Sequence, residues 1–566
     1  MKTLGIRRVW NLAPQDDARV HALARDLGVS PIVAQLLAIR GLETASAART
    51  YLAPALGQLS DPLLLSGMAD AVDRITQARD RDEHVLVFGD YDVDGISGTA
   101  ILYNGLKRFG LKNVSYNMPK RLTEGYGLDI DHLDEARAQG VSLLITVDNG
   151  ISAHAPAEHA RAIGLDLIIT DHHSIEDGLP RALAVINPQR EPESYPGRYL
   201  CGAGVAFKLA TALNGTPNDL DLAALGTVAD IVPLRGENRV IVALGLRHMA
   251  RHQRNGLAKL ARVAGIDLAA ISSVDIGFQL GPRINAAGRL DDGLAALQLL
   301  LTDCPDQATE IAGLLNDANI DRRSIEKVIF DEAVAEIEAR FTPAQRGIVV
   351  AREGWHPGVI GIVASKLQGR FHRPTVVIAA GGDGVGRGSA RANGQFDMVR
   401  ALRGCQEHLV KFGGHRSAAG FTIAMDHFEA FSEAFEAQAR EQLGSGDIIS
   451  AMDVDVVASF AEIDPPLLHD IARLEPLGHG NPAPIFCALG VDAAAASARI
   501  LKDQHLKITF SQGAYAFPAI GFNMAERFYT EDLTGLVDIA FTPQFNCWRG
   551  ETTIQLLLKD IRPAGL

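Results

Sequence analysis

Cysteine is scarce in this chain. Its 566 residues hold five (Cys201, Cys304, Cys405, Cys487 and Cys547), odd in number, scattered and never in a Cys-x-x-Cys pair. That argues against a disulfide scaffold or a structural zinc site and for a reducing cytosol. No apolar run approaches the ~20 residues that span a bilayer. The opening MKTLGIRRVW lacks the apolar stretch and small-residue cleavage site of a secretory signal. Neither a Gly-X-Y period nor sustained heptads occur, which excludes a collagen-like or coiled-coil rod. Gly-x-x-x-x-Gly-Lys-Ser/Thr, Gly-x-Ser-x-Gly and His-Glu-x-x-His are all missing, so the P-loop NTPase, the common serine hydrolase and the zincin are set aside.

What is present is ordinary soluble composition: 47% hydrophobic and 22% charged residues, which excludes disorder as the dominant state. The length suggests three or four domains of about 150 residues each. The net charge of -14 disfavours a nonspecific coat on nucleic acid or membrane. The charge is uneven, however. Residues 341–425 hold eleven Lys and Arg against four Asp and Glu, a balance of +7 that leaves -21 on the remainder. A basic module inside an acidic protein points to a local polyanion site.

Residues 1–75 are rich in Ala and Leu at helical spacing, interrupted by Pro54 and Pro62, and read as short helices forming an N-terminal cap. From about 84 to 190 the pattern changes. Apolar runs at 84–88, 141–147, 166–170 and 183–187 alternate with helical stretches at 97–109, 129–139 and 153–163. This is the signature of βαβ units around a parallel sheet, in which ligands sit beyond the carboxyl ends of the strands. There the chain places Asp90-Tyr91-Asp92-Val93-Asp94-Gly95, then Asp148-Asn149-Gly150, then Asp171-His172-His173, while a later apolar stretch, 222–229, ends at Asp230. A single Asp after a strand is more often a helix cap than a ligand. Four such arrivals would bring together carboxylates that repel one another unless cations lie between them.

Asp-x-Asp-x-Asp-Gly also opens an EF-hand, but the twelfth position counted from Asp90 is Ile101 where that loop needs Glu. The alternation is expected to put Asp90, Asp92 and Asp94 on one side of an extended backbone, with Gly95 and Gly98 allowing a tight turn into a helix. Hard carboxylates favour Mg²⁺ or Mn²⁺, and an imidazole in the set tips the balance toward Mn²⁺. Two ions sharing a bridging Asp suit hydrolysis of a phosphoester or phosphoanhydride.

The series DYDVDG, VDNG, DHH and TVADIVPL resembles the DHH phosphoesterase superfamily. GPRINAAGR (281–289), EGWHPGVIGIVASKL (353–367), GRGSAR (386–391) and GGHRSAAG (413–420) extend the likeness to its branch of single-strand-specific 5′→3′ exonucleases, over roughly residues 50–566. The resemblance implies metal ligation by Asp92, Asp94, Asp148, His172 and Asp230, with Asp148 bridging and Asp90 a ligand or a supporting group. It implies that His173 contacts the scissile phosphate and that Asp171 orients the neighbouring imidazole. Many small members of the superfamily carry a His four residues before the first metal Asp, where this chain has Phe88. The single-strand exonuclease branch shares that departure.

The resemblance also gives the basic segment a role as a DHH-associated domain closing over the metals. Gly413 and Gly414 would permit close approach to a phosphate, with His415 and Arg416 as donors. Arg387, Ser389 and Arg391 form a second set, on a glycine-rich turn. Arg283, Asn285 and Arg289 form a third, ahead of a linker helix near 305–340. Short alternating stretches from 446 onward suggest a small barrel, similar to an OB-fold, with Phe545, Trp548 and Arg549 as candidate DNA contacts. The Pro-rich segment 477–486 reads as a rigid turn that docks this module on its neighbours.

The implied fold is α/β and multidomain: a helical cap (1–75), a parallel-sheet DHH catalytic domain (76–250), a helical linker region (251–340), a DHH-associated α/β domain across a cleft (341–445) and an OB-like β-barrel (446–566). The implied activity is that of an exodeoxyribonuclease of DNA recombination and repair, dependent on two Mn²⁺ or Mg²⁺ ions, that releases 5′-mononucleotides from single-stranded DNA. A cytoplasmic location, a monomeric state and a single-stranded-DNA-binding protein as partner follow on the same basis. The alternatives are a phosphodiesterase for short oligoribonucleotides or cyclic dinucleotides and a non-catalytic DNA-binding scaffold. The length argues against the first and the intact acidic set against the second.

Overall fold

The apolar runs between residues 84 and 187 become a five-stranded, all-parallel sheet. The computed structural model describes residues 6–14, 16–119, 127–290, 293–340, 342–446, 448–531, 533–548 and 550–565. The strands lie in the order Val114–Asn117, Val85–Gly89, Leu143–Val147, Asp166–Thr170, Ala184–Ile186. Counted along the chain this is 2-1-3-4-5, so the connections diverge between the first and third strands and leave a crevice at their carboxyl ends. The three central strands are buried throughout or nearly so, which is why they read as continuous apolar runs. Helices Met68–Asp80, Val93–Phe109 and Gly202–Asn214 supply the core on one face, while Ile130–Ala138 and His154–Ala162 cover the other. Strand Val114–Asn117 was not expected; it is half-buried at the sheet edge and its VSYN sequence carries only a weak apolar signal.

The N-terminal region differs from the all-helical expectation. Ile6–Leu12 is a strand paired in parallel with Ile448–Val454, hundreds of residues away. Trp10 donates to Asp560 at 2.8 Å and lies under the guanidinium of Arg562. Helices Asp17–Leu27, Pro31–Ala38 and Ala45–Leu52 follow, and their Val20, Leu23, Val33, Leu36 and Leu37 share a core with the C-terminal barrel.

One 36-residue helix, Pro305–Arg340, runs about 54 Å at 1.5 Å per residue. Near its start Asn316 accepts from Arg283 Nε at 3.2 Å, and further along Glu326 pairs with Lys366 of the following module. That module is a five-stranded mixed sheet ordered Leu409–His415, Ala418–Ala424, Val385–Arg391, Thr375–Ala380, Ile348–Glu353. In the last module Phe486–Ala493 pairs with both Gly535–Trp548 and His505–Gln512, closing a barrel through Glu551–Pro563 and Tyr515–Gly521. The α/β, parallel-sheet and barrel expectations are thus met. Segment 477–486 docks as expected: buried Asn481 accepts from Arg40 and Tyr51, and Leu234 donates to the carbonyl of His479 at 2.7 Å. No helix among the described residues is long and apolar enough to cross a membrane.

Candidate metal centre and nucleic-acid interface

Each acidic group arrives by its own backbone device. Asp92 is the N-cap of helix Val93–Phe109, its Oδ1 accepting from the amides of Asp94 and Gly95 at 2.9 and 3.1 Å. Asp94 therefore sits in the first helical turn, and the expected extended alternation of the three aspartates is corrected. They part company: Asp90 and Asp92 group with Asp148, whereas Asp94 groups with His172 and Asp230. The reason is local, because a capping Asp makes helix the cheaper conformation from its next residue onward. Gly95 and Gly98 then serve packing, not turning. A Cβ at Gly95 would lie 2.5 Å from the Asp90 carbonyl oxygen, and one at Gly98 would lie 2.6 Å from Val147.

Asp94 is fully buried, and its two oxygens accept from Gly202 N at 2.6 Å and Ala203 N at 2.8 Å. These amides open helix Gly202–Asn214, a natural anion cradle. Asp148 ends its strand at φ 64°, a left-handed conformation uncommon outside glycine and typical of functional strain. Asp171 accepts from the amides of Ile151, His172 and His173 and from Nδ1 of His173 at 2.7 Å. With four donors it is an orienting group. The two carbonyls of the His pair are also held: Gln189 Nε2 donates to His172 O at 2.8 Å, and buried Asn187 Nδ2 donates to His173 O at 2.9 Å. Asp230 is the C-cap of helix Leu220–Ala229.

Three overlapping trios result, Asp148–His172–His173, Asp94–His172–Asp230 and Asp90–Asp92–Asp148, each with donor atoms within 4.8 Å of one another. His172 Nε2 lies 3.1 Å from Asp148, 3.5 Å from Asp230 and 3.8 Å from Asp94. Neither this nitrogen nor Asp230 Oδ2 makes a hydrogen bond, though both are buried. Buried polar atoms rarely stay unmatched without a ligand to receive them. Burial, then Asp94 and Asp92, push Asp230 up to about 9, and burial with Asp94 raises Asp148 well above the carboxylate range. Burial lowers His172, keeping it a neutral donor. For His173 burial acts the other way from the outcome: the hydrogen bond and charge of Asp171 overcome it and raise the imidazole. Carboxylates and a neutral imidazole packed this closely fit Mn²⁺ or Mg²⁺. Phe88 points away, into the core on the far face of the sheet, against His132 at 4.8 Å between ring centres.

Several further residues support the donors. A Cβ at Gly202 would meet Asp148 Cβ at 2.4 Å, and one at Gly226 would meet Asp94 Oδ1 at 2.7 Å. Asn187, Gln189, Gly202 and Gly226 have sequence signals only in hindsight, a Gly-Ala-Gly helix start and an Asn-Pro turn.

The basic donors lie elsewhere. Arg387, Ser389 and Arg391 stand on strand Val385–Arg391, not on the expected turn, because buried Gly386, Gly388 and Ala390 alternate with them at the strand period. A Cβ at Gly388 would lie 2.1 Å from the Phe421 ring, so the glycines make room for a neighbour's aromatic side chain. The register sets Arg387, Thr422 and Lys411 in one row, Ser389, Gly420 and Gly413 in the next, and Arg391, Ala418 and His415 in a third. This is one exposed face with small residues down its middle and cations at its edges. Gly414 and Arg416 are exposed at the same hairpin, and Lys411 is an addition to the expected set. Arg391 donates to Ser389 Oγ at 3.1 Å. Arg283, Asn285 and Arg289 lie on helix Gly281–Leu290, pressed onto the aspartate loop; Asn285 Oδ1 accepts from Val93 N at 3.1 Å. That bond gives Asn285 an internal role the phosphate-donor expectation lacked. The side chains of Arg289 and Trp548, and all of Arg549, lie outside the described residues, whereas Phe545 is partly exposed beside His469.

Family models locate the same parts. The DHH family N-terminal domain matches residues 84–229, the DHHA1 domain 345–441 and the RecJ OB domain 454–560. The chain is 36% identical over 556 residues to the single-stranded-DNA-specific exonuclease RecJ of Bacillus subtilis, covering 97% of this chain and 70% of that protein. Its Escherichia coli counterpart is 35% identical over 526 residues, covering 88% and 91% respectively. The crystal structure of RecJ in complex with Mn²⁺ from Thermus thermophilus is similar at a TM-score of 0.85 and 30% identity, covering 99% of this chain and 80% of that one. The Mg²⁺ complex from the same organism gives 0.79 at 29% identity, covering 99% and 79%.

Proposed function

The chain belongs to the RecJ family of single-stranded-DNA-specific exonucleases, and we propose that it removes 5′-mononucleotides from single-stranded DNA at the acidic pocket. It is a phosphodiester hydrolase that uses Mn²⁺ or Mg²⁺. The observation that carries the site assignment is the overlap of the donor trios at Asp148 and His172, with His172 Nε2 and Asp230 Oδ2 buried and unmatched.

Asp90, Asp92, Asp94, Asp148, His172 and Asp230 would hold two ions, Asp148 between them. When bound, the ions neutralise phosphoryl charge and acidify water. The chain's own residues do the rest. Asp171 fixes the His173 ring through Nδ1 and favours its protonated form, which leaves Nε2 to donate to the scissile phosphate or the departing oxygen. Gly202 and Ala203 amides set Asp94, and the Asn187 and Gln189 amides set the His pair. Arg387, Ser389, Arg391, Gly413, Gly414, His415 and Arg416, with Arg283, Asn285 and Arg289, would grip the phosphates of the incoming strand. The domain division at about 75, 250, 340 and 445 belongs to the same reading, as do a monomer in the cytoplasm and a single-stranded-DNA-binding protein met on the substrate.

The test is digestion of a single strand labelled at either end, with Mn²⁺, against matched duplex and RNA. Early release of 5′-labelled mononucleotide with gradual shortening of the 3′-labelled strand is expected, abolished in Asp148→Ala. A wild-type protein that binds the strand but releases nothing with either metal would overturn the reading.

A further inference from the structure

Asp92 and Asp94 are gripped at their carboxylates, but Asp230 is placed through its backbone. Its buried Oδ2 makes no hydrogen bond. On the entry side Asp230 N donates to Gly226 O at 2.9 Å, in the last turn of helix Leu220–Ala229. On the exit side the chain turns through 231–234, and there one buried side chain takes hold. Asn238, 1% exposed, donates from Nδ2 to Pro233 O at 3.1 Å and to Tyr199 O at 2.6 Å. Pro233 lies three residues after Asp230. Tyr199 lies three residues before Gly202, whose amide and that of Ala203 hold Asp94. The two bonds tie the exit of one donor to the support of another, and both donors share a trio with His172. The clamp has a firm base. Asn238 stands in the first turn of helix Gly236–Arg251. Beside it Glu237 N donates to Pro196 O at 3.2 Å, and the buried Glu237 carboxylate pairs with buried Lys208 Nζ at 2.9 Å. Lys208 belongs to Gly202–Asn214, the helix whose first amides hold Asp94.

We infer that Asn238 is a positioning residue for the metal centre, setting the separation of Asp94 and Asp230 and hence the fit of the ion those two would share with His172. The inference rests on the reading of the pocket as a two-metal nuclease site. A carboxamide suits the position because its nitrogen carries two hydrogens in one plane. Turned the other way, its oxygen would face two carbonyl oxygens. Oδ1 makes no hydrogen bond despite its burial, so the two donors account for the side chain. The effect is lopsided, because the Asp90–Asp92–Asp148 trio does not lie on the segments that Asn238 joins. Residues that orient metal donors from behind typically govern ten- to a hundredfold in metal affinity.

The experiment compares Asn238→Asp and Asn238→Ala with wild type. The first keeps the shape and replaces the donors by an acceptor; the second removes the group. Leu36→Ala, which opens a cavity in the core shared by the N-terminal helices and the barrel, is the control for lost stability alone. Each protein is titrated with Mn²⁺ by calorimetry in the absence of DNA, unfolded by heat without metal, and assayed on a single strand over a range of Mn²⁺. The expected result for both Asn238 variants is one of two Mn²⁺ sites weakened by roughly ten- to a hundredfold with the other kept. Turnover should fall at limiting Mn²⁺ and recover at saturation, with KM for the strand unchanged. The Leu36→Ala control should melt earlier and bind both ions as wild type does. Variants that bind both ions like wild type overturn the inference. So does equal weakening of both sites, or a failure of both variants to fold, because Asn238 would then hold the domain and not one trio. A wild-type protein that takes up no Mn²⁺ or cuts no strand refutes the nuclease reading itself, a different failure from an active wild type with unaffected variants.

Discussion

The acidic pocket and the basic sheet face, both proposed to meet the same polymer, are built in opposite ways. In the pocket, groups are buried and held several times over: Asp94 by two helix amides, Asp171 by four donors, the His pair by amides on both carbonyls. On the sheet, Arg387, Lys411 and His415 are exposed and sit along strands whose register sets their spacing, with exposed Arg416 in the turn between two of them. The difference follows from what each must do. Ligand atoms need placement to a fraction of an ångström, and low dielectric makes errors costly. A sliding backbone needs charge in roughly the right place and loses from rigidity.

The sharpest way to break the comparison is to disturb the pocket without touching a ligand. Gly202→Ala places a methyl 2.4 Å from Asp148 Cβ and 2.7 Å from its Cγ and Oδ1, so the buried carboxylate must shift. We expect overpacking to cost about 1–3 kcal/mol of stability and activity to fall to background. Thermal unfolding together with the strand-digestion assay would check this; a variant with normal turnover would show the pocket to be less tightly determined than its bonding suggests.

A second effect comes from protons. Asp230 is pushed up to about 9 and Asp148 lies well above the carboxylate range, so the metal-free fold holds protons that an unfolded chain releases near pH 4. The bound proton count is then higher in the folded state, and metal-free stability falls as pH rises from about 4 toward 9. Cations must displace those protons, so Mn²⁺ affinity should rise with pH over the same range. Calorimetry in buffers of different ionisation enthalpy would read the released protons; a pH-independent affinity with none released would contradict it.

The smallest effect should lie on the sheet. Arg387→Ala removes one exposed cation, so KM for a single strand should rise modestly, and the slope of log affinity against log salt should shallow by about 0.7. Binding measured from low to moderate salt separates this from a pocket defect, which would lower turnover and leave the slope intact.

Much of the pocket was legible from residue order because parallel sheets deliver their loops to one edge. Asp90, Asp148 and Asp171 each follow a buried strand, and that rule needs no coordinates. The N-terminal strand was not legible, since Ile6–Leu12 is a strand only because Ile448–Val454 lies beside it. Nor were the roles of Gly95, Gly98 and Gly388, where glycine signals a turn in one dimension but makes room for a neighbour in three. Nor was the packing role of Asn285, whose side-chain oxygen accepts from Val93 N across the chain.

The order of residues by itself determined the sheet, the chemical character of its edge and the class of metal, because burial period and ligand hardness are properties of side chains. The tertiary structure alone decided which aspartates group together, which oxygen caps a helix and which glycines make room for a neighbour. Those outcomes depend on helix ends, strand register and close approach between segments far apart in the chain, and none of these is encoded at a single position.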